Sequence, residues 1–556
     1  MTNKLPKLFL LFLGAIFLLN LLQAHLTELI FDEAYYWYYS QNMDWGYFDH
    51  PPMVALLVKL SSYLFDGELG VRFMGCILST GIYIVLWFMI DYPKKKDYIA
   101  HFFVLVFSMG LMHAYGFLTL PDTPLLFFTA LFLLVYKQFL QKPSYFLSIL
   151  LGVVMAALMY SKYHAVLVII FVLLSNLKLI LNKYAWVGVI VALLCYVPHF
   201  MWLYENDFVP IKYHLYERPN QAYNFSKFTL GYFVNLIAIL GLTFPWIYWA
   251  LIKTKASDKF TKALLFLSYG VIIFFFISSF NRRIQTQWII IISIPLAILA
   301  FNFLIQNQTA KKWLFRIGIV NIVVLLFLRI GLVHEPLFPV TYETHGNKNW
   351  VGSLYSQVGE TPVVFENSYR LAPMYSFYSG STSFSLNNMF YRKNQYSIDS
   401  SEDKVQHKKV VYVSKYMKKG DVSFFSNDST IYYGRYIENF ESFRKIKSII
   451  GDSEEIDLKE KTDLQLKIYN PYKEDIPIEK LKFNGIFLNK HKQVMEQNPI
   501  ETTPLLPDIK NLKTNDTTIF IFNLPKPKTE NLGYFKVGVS ENGLLYGLNG
   551  ENIKLK

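Results

Sequence analysis

The chain has 556 residues, of which 53% are hydrophobic and only 17% charged, and its mean hydropathy is positive. Soluble domains rarely carry that balance, so a wholly soluble protein is excluded. The net charge of +13 would suit nucleic acid, but much of it lies in lysine clusters between apolar stretches, and two cysteines cannot supply a disulfide framework.

Taken in chain order, apolar stretches long enough to cross ~30 Å of hydrocarbon are predicted at about 7–24, 70–90, 98–118, 124–140, 145–161, 164–181, 184–203, 228–251, 263–280, 285–304 and 313–333. The first has the basic start of a signal peptide (Lys4, Lys7) but no small-x-small cleavage site before Asp32, which favours an uncleaved anchor. With a cytoplasmic amino terminus, alternate loops carry Lys94-Lys95-Lys96, Lys137 with Lys142, Lys178 with Lys183, Lys253 to Lys262, and Lys311-Lys312, so the positive-inside rule agrees throughout. The stretches 145–161 and 164–181 are either two crossings or one re-entrant unit. Counting both gives about eleven transmembrane helices and an exported carboxy-terminal region.

Two domains are predicted: a membrane domain over 1–333, whose first exported loop covers about 25–69, and a soluble exported domain over 334–556. In the latter, Pro362–Phe365, Val410–Val413 and Ile519–Phe522 read as strands and about 369–378 as a helix. Asn470-Pro471, Asn484-Gly485, Glu541-Asn542-Gly543 and Leu548-Asn549-Gly550 read as turns, giving an α/β start and a β-rich end.

The chemistry is expected in the first exported loop. Phe31-Asp32-Glu33-Ala34-Tyr35-Tyr36-Trp37 and Gly46-Tyr47-Phe48-Asp49-His50-Pro51-Pro52 set carboxylates just beyond an apolar span, where they are costly unless they face water, a partner or a substrate. The aromatic run predicts an amphipathic helix at the interface, its rings forming an aromatic belt. Pro51-Pro52 would end any helix and hold Asp49-His50 rigid.

These paired motifs resemble the first-loop signature of the superfamily of protein O-mannosyltransferases and aminoarabinose lipid A transferases, polytopic glycosyltransferases of GT-C architecture (family 39-like). Leu120-Pro121-Asp122-Thr123-Pro124, Ser161-Lys162-Tyr163, Tyr213 to Arg218, Asn281-Arg282-Arg283 with Gln287-Trp288, and Ser368 to Tyr396 are similar to later family segments in the same order. Several relatives carry Glu-Lys where this chain has Asp49-His50, so a lysine able to meet donor phosphate is absent at position 50. His50 either replaces it when protonated or only hydrogen-bonds.

The resemblance implies transfer of a sugar from a polyprenyl phosphate to a hydroxyl of lipid A, another glycolipid, a polysaccharide or a protein, at the exported face of a bacterial inner membrane. Such a hydroxyl needs a base, and Asp32 is the first choice, with Asp49 as second carboxylate or in the exchanged role and Glu33 in support. The leaving phosphate needs cations rather than an acid. Candidates to bind it or the substrate are Lys162, Arg218, Arg282, Arg283 and Arg72, with His50, Asp122 and Tyr47, although each cation taken alone reads equally well as an interfacial snorkelling residue.

Displacement with inversion follows, with no covalent intermediate. No cofactor, metal site, Walker motif or dinucleotide fingerprint is called for by the sequence, and metal dependence stays open. A transporter or a non-catalytic envelope scaffold is the alternative. A transporter would place its charges nearer the bilayer midplane, and a scaffold would make Asp32 and Asp49 replaceable.

Overall fold

The computed structural model describes residues 5–556 except 219, 339, 452–454, 459–462 and 542, so Lys4 and Asn542 lie outside the described residues. The chain divides into two units, Met1–Phe208 with Tyr223–His345, and Val209–Ala222 with Gly346–Lys556. The sequence predicts a single boundary after residue 333. The short segment 209–222, embedded in the membrane half of the sequence, groups instead with the carboxy-terminal unit.

The first unit is helical: α1 (Lys7–Leu26), α2 (Phe31–Gln41), α3 (Met53–Ser62), α4 (Gly67–Met89), α5 (Ile99–Phe107), α6 (Gly110–Ala114), α7 (Asp122–Gln141), α8 (Tyr145–Ser161), α9 (Ala165–Ser175) and α10 (Lys183–Glu205). After α11 (Val209–Lys212), in the second unit, it continues through α12 (Gly231–Ala238), α13 (Phe244–Lys253), α14 (Lys259–Ser278), α15 (Ser293–Gln306) and α16 (Gln308–Val333). Among the described residues six helices (α1, α4, α7, α10, α14 and α16) are long and apolar enough to cross a bilayer, and a bent pair makes a seventh candidate. Leu11, Leu18 and Leu194 are each about two-thirds exposed on the outward faces, at 66%, 66% and 65%. Such surfaces suit hydrocarbon, and the protein is an integral membrane protein.

This count is lower than the eleven expected because several apolar stretches are broken. The stretch 98–118 divides into α5 and α6, and 228–251 bends by 96° between α12 and α13. Asn321 of α16 serves both breaks: its amide donates to Ser108 O at 2.5 Å and its carbonyl accepts from Leu242 N at 3.3 Å. Gly241 sits at the bend with φ +64°, and a Cβ there would lie 2.5 Å from the Asn321 amide. A buried polar side chain thus supplies partners for backbone groups that a continuous helix would have satisfied itself. The stretches 145–161 and 164–181 contain the short helices α8 and α9, separated at Lys162-Tyr163-His164.

Pro51-Pro52 starts a helix rather than merely stopping one. Pro52 is the N-cap of α3, where a missing N–H costs nothing.

The second unit adds α17 (Asn347–Val358) and α18 (Leu371–Ser379) to a sheet of β1 (Val363–Glu366), β2 (Ser383–Leu386), β3 (Lys408–Ser414), β4 (Val422–Phe425) and β5 (Ile431–Phe440). The order is β2-β1-β3-β5-β4, with β1 parallel to β2 and β3 and the rest antiparallel. Beyond it lies a β-rich region containing β8 (Asp463–Tyr469), β10 (Lys482–Asn489), β14 (Thr517–Asn523) and β15 (Leu532–Ser540), labels counting every strand in chain order. Two sheets there share one apolar core that includes Phe483, Phe487, Phe520, Phe522 and Phe535. An α/β start and β-rich end are therefore observed. Asn484-Gly485 forms no turn; it lies inside β10, where a Cβ on Gly485 would stand 2.8 Å from the Phe535 ring.

Candidate active site

Asp32 and Glu33 open α2, where carboxylates favour the positive end of the helix. Adjacent residues on a helix diverge by about 100°, and these two meet different surroundings. Glu33 is wholly buried and receives Arg72 Nε at 2.8 Å and Nη2 at 2.5 Å, Thr119 N at 2.9 Å and Ile30 N at 3.3 Å. Arg72, also wholly buried, donates further to the carbonyls of Ala24, Thr27 and Glu28. The pair bolts α2 and the end of α1 to α4. This geometry gives Glu33 and Arg72 a structural task, distinct from the support and phosphate-binding tasks read from the sequence.

Asp32 is only partly buried. Its charge bears on Tyr115 and on Tyr342. Burial, with the neighbouring Glu343 and then Asp32, pushes the Tyr342 hydroxyl above its usual range. Glu343 in turn accepts from Phe31 N at 3.4 Å, so the segment after α16 returns to the start of α2. Neither Tyr342 nor Glu343 was singled out from the sequence, because only the fold brings them beside Asp32.

The aromatic run of α2 is an internal framework, not an exposed belt: Tyr35, Tyr36, Tyr38 and Tyr39 are all buried. Tyr39 donates its hydroxyl to Asp49 Oδ1 at 2.6 Å and stacks on Tyr47 with centroids 4.2 Å apart. Burial first, then the Asp49 charge, raises the Tyr39 hydroxyl well above its ordinary value, keeping it a donor. His50 meets Tyr36 edge-on at 5.5 Å. Tyr47 is buried, its hydroxyl donating to the Tyr39 carbonyl at 3.1 Å, so it acts as a wedge under the turn. Beyond that turn, Asp44 accepts from Trp202 Nε1 at 2.8 Å and the Trp45 carbonyl lies 2.7 Å from His199 Nδ1, anchoring the loop to α10.

A second ion pair joins the next two loops. Lys162 Nζ donates to both oxygens of Asp122 at 2.7 and 2.8 Å, with both residues buried. The adjoining His164 packs on Trp288 at 5.3 Å, so the segment that follows Arg282 and Arg283 meets the 162–164 turn at Trp288. Arg218 lies in the segment that groups with the second unit. Among the described residues no group of three or more His, Cys, Asp or Glu side chains is arranged to hold a metal.

The arrangement can be compared with known proteins. The family model for dolichyl-phosphate-mannose-protein mannosyltransferases matches residues 49–202, which include Asp49, Asp122 and Lys162. The lipid A galacturonosyltransferase RgtD of Rhizobium johnstonii is 24% identical over 328 residues, covering 56% of this chain and 68% of that protein. Crystal structures of ArnT from Cupriavidus metallidurans, apo and bound to undecaprenyl phosphate, share the fold with a TM-score of 0.52 at 15% identity, over 73% of this chain and 92% of theirs. The chain is thus similar in sequence to membrane glycosyltransferases, over part of its length, and shares the fold of the ArnT structures.

Proposed function

We propose that the enzyme transfers a sugar from a polyprenyl phosphate to a hydroxyl of an envelope acceptor, with Asp32 as base and Asp49 orienting the sugar or acceptor. The observation that carries this reading is the single stripe of α2 formed by Asp32, Tyr35, Tyr36 and Tyr39, spaced at three and four residues. Asp32 stands at one end and Asp49 is bonded to Tyr39 at the other. Seven residues of helix separate Asp32 from Tyr39 by ~10 Å along its axis.

In this scheme the acceptor oxygen attacks the anomeric carbon as Asp32 takes its proton, and the bond from that carbon to the phosphate oxygen breaks with its electron pair leaving on phosphate. The configuration inverts. Arg282 and Arg283 are candidates for holding the phosphate, in the segment that runs on to Trp288, whose ring packs on His164. Lys162 would contribute while shared with Asp122, and His50 is the further candidate cation of the same unit.

The donor class is supported by the ArnT structure with undecaprenyl phosphate, and a lipid A-like acceptor by the name of the Rhizobium relative; other glycolipids, polysaccharide and protein remain within the class. In this proposal the broken apolar stretches complete about eleven crossings. The site and the domain after residue 333 then face the exported side of a bacterial inner membrane.

The test is to give the purified protein polyprenyl-phosphate sugars, in parallel with nucleotide sugars, together with envelope acceptors, and follow both products by mass spectrometry. Release of sugar-free lipid phosphate matched by a glycosylated acceptor supports the reading. Use of nucleotide sugars alone would overturn it.

A further inference from the structure

A cavity of about 870 Å³ lies at the far end of the membrane unit from the carboxylates. Helices α4 and α7 locate it. Each begins at the candidate active site, with Arg72 and Asp122, and each ends at the cavity, with Met89 and Lys137. At 1.5 Å per residue the two places are ~23–26 Å apart along these helices, close to the depth of a hydrocarbon core.

The lining is divided in two. Phe303, backed by the buried Leu264, Ile298 and Leu299, forms an apolar wall, while Lys253 at the end of α13, Lys255 in the turn after it and Lys259 at the start of α14 form a basic rim. The acidic groups in the lining are already engaged. Asp91 pairs with Lys137 at 2.5 Å, and Asp258 caps α14 by accepting from Phe260 N and Thr261 N at 2.8 and 2.9 Å. Lys137 is itself buried, donating to the Met89 carbonyl at 2.6 Å and lying over the Phe260 ring. The three rim lysines have no carboxylate partner within ion-pair distance among the described residues.

We infer that this cavity binds one anionic phospholipid, its phosphate against Lys253, Lys255 and Lys259 and the start of an acyl chain against the α14–α15 wall. A neutral lipid would leave three clustered ammonium groups without a counter-charge, and a soluble anion would leave the apolar wall unused. Basic pockets between transmembrane helices at the membrane surface suit this chemistry, because each nearby lysine adds attraction to an anionic headgroup. The site stands apart from the sugar-transfer reading, since neither Asp32 nor Asp49 contributes to it.

Native mass spectrometry of the whole protein, taken from vesicles of phosphatidylcholine with and without phosphatidylglycerol of the same chains, tests the inference. The protein should retain phosphatidylglycerol over phosphatidylcholine by about tenfold. The preference should vanish in K253Q/K255Q/K259Q, survive in K253R/K255R/K259R, and survive in K178Q/K183Q/K312Q, which removes as many lysines from other loops. No preference in the wild type, or equal loss in both glutamine triples, would overturn the site. Displacement of the lipid by inorganic phosphate or glycerol phosphate would overturn its assignment to a membrane lipid.

Discussion

Tyr39 holds Asp49 by a 2.6 Å hydrogen bond while its ring lies nearly parallel to that of Tyr47, at an interplanar angle of 6°. One side chain therefore both orients the second carboxylate and closes the turn that carries it. Removing only the hydroxyl separates those tasks. Tyr39→Phe should keep the stack and the folded state but lower kcat by about tenfold, the worth of a hydrogen bond to a charged group. Steady-state turnover with unfolding temperature measured alongside checks this; unchanged kcat would mean that Asp49 is positioned by other contacts.

The Glu33–Arg72 pair predicts a different outcome. Glu33→Gln leaves a wholly buried guanidinium without its counter-charge, which typically costs about 3–5 kcal/mol. The variant should lose stability far more than it loses kcat per folded molecule, and Glu33→Leu with Arg72→Met should recover much of the loss. A Glu33→Gln protein of normal unfolding temperature but low kcat would restore Glu33 to the chemistry.

Lys162 and Asp122 can be separated in the same way. Lys162→Met should destabilise through the buried Asp122 left behind, and Asp122→Asn in the same chain should rescue folding. If Lys162 also touches donor phosphate, the folded double variant should show a raised KM for donor; a donor KM equal to wild type would confine Lys162 to the ion pair.

Lys536, on β15 of the second unit, is buried, and burial followed by the nearby Lys393 charge lowers its ammonium to about 8, against an opposing pull from Glu217. Because the folded state disfavours the charged form, the cost is complete below pH 8 and is relieved as pH rises from 8 towards the unfolded value near 10.5. The contribution is ~3 kcal/mol across that window. Thermal unfolding of wild type and Lys536→Met between pH 7 and 10 should show a rise with pH that the variant lacks. Parallel profiles would contradict the burial of a charged amine.

Much of this organisation is legible along the chain because its determinants are local. Apolar length marks α1, α4, α7, α10, α14 and α16, and the strands β1, β3 and β14 fall on short β-branched and aromatic runs. What was not legible depends on partners distant in sequence. Arg72 is a plausible phosphate ligand until Glu33, 39 residues earlier, is seen to occupy it. Asn321 supplies partners at the breaks in two apolar stretches from a third helix, which no hydropathy window over those stretches detects. The rings of α2 look like interfacial anchors because composition does not distinguish a ring facing lipid from one packed on Asp49. Their three- and four-residue spacing was the available signal that they share one face.

The central claim is that Asp32 takes the acceptor proton. The most direct measurement is single-turnover release of sugar-free polyprenyl phosphate by purified wild type, Asp32→Asn and Asp49→Asn, each shown to be folded, with acceptor present and absent. Loss of a general base should cost about 10²–10⁴-fold in acceptor-dependent release for Asp32→Asn while donor binding persists, with a smaller loss for Asp49→Asn. Folded Asp32→Asn releasing lipid phosphate at the wild-type rate would contradict the account.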